Sequence, residues 1–88
     1  MEIFENTDDT LFAELLLPVP VARLFTYRVP RILQEKILVG QRAIVQFGDR
    51  KILTGLIATL HHTPPSEYEA KYILEILDDY PVVSELQF

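Results

Sequence analysis

The strongest constraint on the fold lies in residues 42–60. Apolar and more polar side chains alternate over residues 42–47, which indicates a half-buried β-strand. Gly48 then begins a short polar turn, and residues 52–60 form a second, largely apolar run. The segment therefore predicts a β-hairpin. Gly55, in the middle of its second strand, indicates a bulge or sharp bend of the kind that curls a small sheet into a barrel.

Shorter apolar runs on either side of the hairpin supply further strands. Pro18 ends the run over residues 11–17, and Pro30 ends the run over residues 24–29, so both are short enough to favour strands over helices. Residues 72–77 fit either a strand or a helix, and we favour a strand because the bent sheet needs a closing partner. We predict a mainly β fold: a small barrel of the oligonucleotide-binding or SH3-like kind, with about five to six short strands.

Length and composition limit the chain to one small domain. A chain of 88 residues with 49% apolar content can bury one core with little surplus stability. We expect an acidic flexible tail at residues 1–10, the domain at 11–83, and the start of a truncated linker or next domain at 84–88. The absence of cysteine excludes disulfides and thiolate metal sites. No run approaches the length of a membrane span and the N-terminus is acidic, so we expect a cytoplasmic protein with no membrane partner.

Charge is divided unevenly along the chain, although the formal net charge is −5. Residues 23–51 hold seven basic and two acidic residues, a net of +5, whereas the remainder has one lysine, Lys71, against eleven carboxylates. A basic middle can form a local anion-binding surface, and the alternative is a set of solvated charges scattered in space. Four residues of this segment are candidate phosphate contacts: Arg23, Arg28, Arg50 and Lys51.

The patterns of a catalytic site are absent from the sequence. It has no Gly-rich phosphate loop, no nucleophile elbow and no cysteine to pair with histidine. His61 and His62 are adjacent, so their side chains point apart in an extended chain and make a poor metal site. Asp78 and Asp79 indicate a turn rather than an acid–base pair. We predict no catalytic residue and no metal site, and we infer a binding module.

Phe25 and Tyr27 are the candidate binding aromatics. Side chains alternate along a strand, so both rings lie on one face of the strand predicted over residues 24–29. One interpretation places both rings in the core. The other makes them an aromatic platform beside Thr26, on which a nucleobase can stack. Gly48 either lets a ligand approach the backbone closely or is a plain turn glycine.

Several short motifs occur in the order and spacing of one known family. They are Leu17-Pro18-Val19-Pro20, Phe25-x-Tyr27, Val39-Gly40-Gln41-Arg42, Val45-x-Phe47-Gly48, Gly55, Lys71-x-x-x-Glu75-x-Leu77-Asp78 and Pro81-Val82. From about residue 12 to residue 83, the chain resembles the N-terminal domain of the primosomal replication-restart helicases. This resemblance implies a DNA-binding module that captures the 3′ end of the nascent leading strand at a stalled fork.

The resemblance also implies which residues bind the terminal nucleotide. The family's pocket corresponds to Phe25, Thr26, Tyr27, Gly48 and Lys71. The best-known members have an aspartate where this chain has Thr26. A threonine can make a hydrogen bond but does not offer two charged oxygens, so the resemblance leaves the base preference of this position open.

The resemblance places the chemistry of the parent enzyme elsewhere. The resemblance implies a parent enzyme that is an ATP-dependent 3′–5′ DNA helicase and uses ATP, magnesium and zinc in other domains, so we expect no cofactor in this fragment. Its expected partners are forked DNA, the other domains of the helicase and the primosome proteins. The alternative is an SH3-like protein-interaction barrel that binds an extended peptide. A small enzyme using His61, His62 and Asp78 is disfavoured.

Overall fold

A computed structural model describes residues 10–82 of the chain. Within that range the chain forms five β-strands and one short 3-10 helix, Arg31–Leu33. The strands are β1 Phe12–Leu16, β2 Phe25–Arg28, β3 Arg42–Phe47, β4 Lys51–His61 and β5 Glu75–Ile76. The acidic tail expected at residues 1–10, apart from Thr10, and the segment expected to begin another domain at 84–88 lie outside the described residues. No helix among the residues described is long and apolar enough to cross a membrane.

The strands form one antiparallel sheet in the order β2-β1-β4-β3-β5. The prediction of a mainly β fold with about five to six short strands is confirmed, with five strands in residues 10–82, including the hairpin of β3 and β4. Within residues 71–77, the strand predicted over 72–77 is confirmed only at Glu75–Ile76, and Tyr72 adds an isolated bridge to Arg28. This segment is hydrogen-bonded to both β2 and β3. The Arg28 N–H of β2 donates to Lys71 O at 2.7 Å, and the Leu74 N–H donates to Ile44 O of β3 at 2.8 Å. The sheet is therefore barrel-like, although no continuous ladder closes it.

Alternating side chains of the strands build the core. Ala13 and Leu15 of β1 and Ala43 and Val45 of β3 are fully buried, as the alternation predicts for β3. Ile57 of β4 packs with them in the same cluster. Burying a side chain such as Leu15 or Ile57 contributes about 1.5–3 kcal/mol. This core fixes the strands whose ends form the site described below.

The bulge predicted at Gly55 lies three residues further along β4. Glu14 pairs with Thr59 and Leu15 with Ile57, so Ala58 is the extra residue. Gly55 itself pairs regularly with Ala43. It is close to the end of β1, because a Cβ atom built on it would lie 2.5 Å from Leu17 Cδ2 and 3.1 Å from the Leu16 carbonyl oxygen. Glycine is needed here for space rather than for a bulge.

Gln41 joins three backbone segments just before β3 begins. Its side chain is 1% exposed. Oε1 accepts the Leu38 N–H at 2.7 Å, and Nε2 donates to Lys36 O and to Asp78 O, each at 3.1 Å. Because both polar side-chain atoms of Gln41 form hydrogen bonds within the protein, this cluster fixes one end of the molecule. We call it the Gln41 end.

Asp78 adds a second connection at the Gln41 end. Its Oδ2 accepts the backbone N–H of Arg42 at 2.7 Å, and its Oδ1 accepts a guanidinium N–H of Arg42, also at 2.7 Å. These hydrogen bonds and the positive charge of Arg42 hold the pKa of the Asp78 carboxyl below its ordinary value. Asp78 is thus a structural partner of β3, and the chain bends at the residues that follow it, Asp79 and Tyr80.

Candidate functional site

A cleft of about 340 Å³ opens at the opposite end of β3, where the strand enters the hairpin. All five residues of the predicted pocket line it: Phe25, Thr26, Tyr27, Gly48 and Lys71. Arg23, one of the candidate phosphate contacts, lines it as well. The fold thus brings together residues from β2, from the hairpin and from the segment before β5, which are up to 48 positions apart in the sequence.

Phe25 and Tyr27 lie mostly inside the protein. They are 9% and 5% exposed, and both belong to the hydrophobic core. Phe47 packs edge-on against Phe25 with 5.2 Å between ring centroids, and the Arg23 guanidinium carbon lies 4.8 Å from the Phe25 centroid. The interpretation of the two rings as core residues is therefore confirmed by their burial. Only a small part of each reaches the cleft.

The hydroxyl of Tyr27 is also engaged within the protein. It donates a hydrogen bond to the Gln46 carbonyl oxygen at 2.8 Å. Burial raises the pKa of the Tyr27 phenol above its ordinary value, and the neighbouring Tyr68 phenol adds to the increase. Tyr27 therefore stays protonated at neutral pH and holds β2 to the end of β3.

Thr26 has its side chain and its backbone in two different hydrogen bonds. Its hydroxyl donates a hydrogen bond to Glu14 Oε2 at 2.6 Å. His61 Nε2 lies 2.6 Å from the same oxygen. The backbone N–H of Thr26 donates to the Tyr68 hydroxyl at 3.1 Å. A ligand that takes the hydrogen of the Thr26 hydroxyl must therefore compete with Glu14, a residue that the sequence did not indicate.

Gly48 and Lys71 face each other at the cleft. Lys71 Nζ donates to the Gly48 carbonyl oxygen at 3.2 Å. Gly48 has φ +71°, which favours glycine, and no atom lies within 4 Å of the place where a Cβ would stand. Gln46 steadies the turn, since its Nε2 donates to Gly48 O and to Asp49 O at 3.2 and 3.0 Å. The result is an ordered turn with open space above it and an ammonium group beside it.

The predicted phosphate contacts are not gathered in one place. Arg23 lines the cleft, whereas Arg50 and Lys51 are exposed at the hairpin turn and do not line it. The guanidinium of Arg28 lies 5.6 Å from the ring of Phe12 and 5.7 Å from the ring of Tyr72. Its Nε is buried with no hydrogen-bond partner among the described residues. The positive charge of the cleft thus comes from Arg23 and Lys71.

Four lining residues were not predicted as binding residues: Gln46, Phe47, Tyr68 and Glu69. Gln46 and Phe47 directly precede Gly48, so the hairpin prediction could have included them. Tyr68 and Glu69 lie in the polar connection after β4, which has no period and gave no signal. Tyr68 is 42% exposed and is the aromatic with the most open position among the rings that line the cleft, since Phe47 is partly buried.

The histidines and Asp78 do not meet in the structure. His61 contacts Glu14, and His62 Nδ1 lies 2.9 Å from the Thr10 carbonyl oxygen. Asp78 is at the Gln41 end, bonded to Arg42. Within residues 10–82, no group of three or more His, Cys, Asp or Glu side chains is placed to hold a metal ion. This arrangement gives no support to an enzyme built on these residues.

Comparison with known proteins identifies similar sequences. The family model of the 3′ DNA-binding domain (3′BD) matches residues 14–88, a range that includes every residue lining the cleft. The replication restart protein PriA of Bacillus subtilis (strain 168) is 35% identical over 77 residues. That alignment covers 84% of this chain and 10% of the relative, so the chain spans about a tenth of the relative's length.

Proposed function

Since the chain belongs to the 3′ DNA-binding domain family, we propose that it binds the 3′-terminal nucleotide of a DNA strand in the cleft beside β2. The observation that carries this proposal is the convergence of Phe25, Thr26, Tyr27, Gly48 and Lys71 on that cleft. The role of the domain is binding rather than catalysis. Its contribution to a larger enzyme is then to position DNA for other domains.

The size of the cleft supports recognition of one nucleotide. Its volume of about 340 Å³ is near the lower end of the range for small-molecule pockets, about 300–1,000 Å³. A strand that ends in a free 3′-hydroxyl can place its last nucleotide in such a space. A strand that continues must also lead the next phosphodiester out again. The domain therefore prefers an end over an internal nucleotide.

The charges of the cleft support DNA as the ligand. Lys71 brings an ammonium group to 3.2 Å from Gly48 O, and Arg23 lies over Phe25. Both can neutralise backbone phosphate, so affinity falls as salt concentration rises. A single nucleotide offers few contacts, and the isolated domain binds weakly. Further DNA contacts in a full-length protein raise the affinity through effective concentration.

The wider role follows from the named relative. The Bacillus subtilis protein is a replication restart protein, and we propose that this domain serves a helicase of the same kind. In that role it captures the 3′ end of the nascent leading strand at a stalled fork, in the cytoplasm and together with primosome proteins. ATP, magnesium and zinc are then used by other domains.

Fluorescence anisotropy tests the binding of an end. One single-stranded oligonucleotide is used in two forms, with a free 3′-hydroxyl and with a 3′-phosphate, over a range of salt concentrations. We expect the free hydroxyl to bind more tightly and both affinities to fall with salt. Lys71→Met should weaken binding and lower the salt slope by about one, because one phosphate contact is lost. Lys36→Met, which removes an exposed lysine that does not line the cleft, is the matched control.

Two results would contradict the proposal. Equal affinity for both forms would leave a basic surface without end recognition. No DNA binding at low salt, together with binding of an extended peptide, would make the domain a peptide-binding barrel instead.

A further inference from the structure

Base stacking needs a ring with a face open to the ligand, and Phe25 and Tyr27 lack one. They are 9% and 5% exposed. Phe25 has Phe47 packed edge-on against it and Arg23 at 4.8 Å from its centroid. Exposing either ring to a base would require the core or Arg23 to move. These two residues therefore support the floor of the cleft rather than stack on a base.

Tyr68 is a better stacking residue on three observations. It lines the same cleft, and it is 42% exposed. Its hydroxyl is fixed, because it accepts the backbone N–H of Thr26 at 3.1 Å, and this bond ties an irregular segment to the edge of β2. A ring held in place before the ligand arrives loses less conformational entropy on binding. The phenol also keeps its own hydrogen, which it can donate to a ligand.

The cleft that Tyr68 lines also contains a positive charge. Lys71 follows three residues later, lines the same cleft and reaches Gly48 O. An exposed aromatic ring and an ammonium group in one cleft match a nucleotide, which carries a flat base and an anionic phosphate on one sugar. On the basis of the proposed function, we infer that Tyr68 stacks on the base of the bound 3′-terminal nucleotide.

A substitution series at position 68 tests this inference. Anisotropy is measured with the 3′-hydroxyl oligonucleotide and with the same oligonucleotide lacking its terminal base. We expect Tyr68→Ala to weaken binding of the complete oligonucleotide about 5- to 150-fold, the range of one stacking contact. Tyr68→Phe keeps the ring but loses the hydrogen bond to Thr26, so it should weaken binding less than Tyr68→Ala does. Tyr80→Ala removes a more exposed tyrosine, 78% exposed, that does not line the cleft, and it should change nothing.

The abasic oligonucleotide separates stacking from a structural role. If Tyr68 stacks on the base, wild type and Tyr68→Ala bind the abasic end equally well. If Tyr68→Ala weakens both oligonucleotides by the same factor, the residue only shapes the cleft and the inference is wrong. The inference is also wrong if Tyr68→Ala binds the complete oligonucleotide as wild type does, and the proposed function then stands. If wild type binds neither oligonucleotide at low salt, the proposed function itself fails and the inference fails with it.

Discussion

Polar side chains at the two ends of β3 differ in burial and in how many of their hydrogen bonds are made within the protein. At the Gln41 end, Gln41 is 1% exposed and makes three side-chain hydrogen bonds to backbone atoms. At the cleft end, Tyr68 and Lys71 are exposed. The Tyr68 hydroxyl makes one hydrogen bond, to the backbone N–H of Thr26, and Lys71 Nζ makes one, to the Gly48 carbonyl oxygen. Groups that are fully bonded and buried stabilise the fold, whereas exposed groups with donors to spare can bind a ligand.

This difference separates stability from binding along one strand. The six residues of β3 keep the two ends about 20 Å apart. Substitutions at the Gln41 end should therefore lower the free energy of unfolding without changing the affinity of the folded protein. Substitutions of the exposed cleft residues should mainly change the affinity, whereas Phe25 and Tyr27, which line the cleft from the core, also contribute to stability. Each prediction below tests whether stability and binding are separated in this way.

The largest effect on stability is expected for Gln41→Leu. Leucine fills the same space but leaves Leu38 N–H, Lys36 O and Asp78 O without their partner. Polar groups left unpaired at this partly buried site cost about 1 kcal/mol each, and we expect a loss of about 3 kcal/mol in the free energy of unfolding, measured by urea titration. Gln34→Leu is the control, because Gln34 makes one bond of 3.3 Å to Val29 O and is only partly buried. A loss no larger than that of the control would show that the Gln41 end does not hold the fold.

The next largest loss of stability is expected for Gly55→Ala. The new Cβ would lie 2.5 Å from Leu17 Cδ2 and 3.1 Å from Leu16 O, so the leucine must shift within the core. Overpacking of this kind costs about 1–3 kcal/mol, and thermal unfolding measures it. Leu17→Ala makes room for the methyl group. The double variant should therefore be less destabilised than the sum of the two single variants. Strict additivity would mean that the contact with Leu17 is not the cause.

Gly48→Ala should affect stability less and binding more. Its φ of +71° costs alanine about 1 kcal/mol, and the methyl group meets no protein atom within 4 Å. That empty space lies at the cleft, so a bound nucleotide should meet the added methyl. We expect weaker binding of the 3′-hydroxyl oligonucleotide in anisotropy, while Asp49→Ala, at the exposed next position, binds as wild type does. Unchanged affinity in Gly48→Ala would remove this turn from the binding site.

The parts of the fold that depend on nearby residues could be predicted from the sequence. The alternation of β3 and the turn at Gly48 are local, and the hairpin formed as predicted. The position of the bulge was wrong because it depends on the register between β1 and β4, which are far apart in the sequence. The length of β5 could not be predicted for a similar reason, because residues 71–77 divide their hydrogen bonds between two edges of the sheet.

The candidate site was predictable to a similar extent. The ordered motifs predicted five residues that do line one cleft, but they gave no information on which rings are exposed. Exposure depends on how Phe47 and Arg23 pack on Phe25, and that packing exists only in the folded protein. Tyr68 lies in a connection without a hydrophobic period, so no pattern indicated it. The roles of these residues in binding DNA stay predictions for the experiments above.

The smallest effect on the free energy of unfolding is expected for Asp78→Asn, and this effect should depend on pH. Arg42 holds the pKa of Asp78 below its ordinary value, so the folded state is stabilised at pH values above the ordinary value. This stabilisation is lost as the pH falls through the lowered pKa, when the carboxyl group becomes protonated. The amide oxygen of the substituted side chain would still accept the Arg42 backbone N–H, but the neutral amide could not pair with the guanidinium as an ion.

We expect urea titration to show wild type more stable than Asp78→Asn at pH 7, with a gap in the free energy of unfolding that shrinks in acid and in high salt. Asp79→Asn, at the exposed neighbouring position, should show no such gap. A gap that stays constant with pH would mean that the hydrogen-bond geometry of Asp78, rather than its charge, secures the Gln41 end.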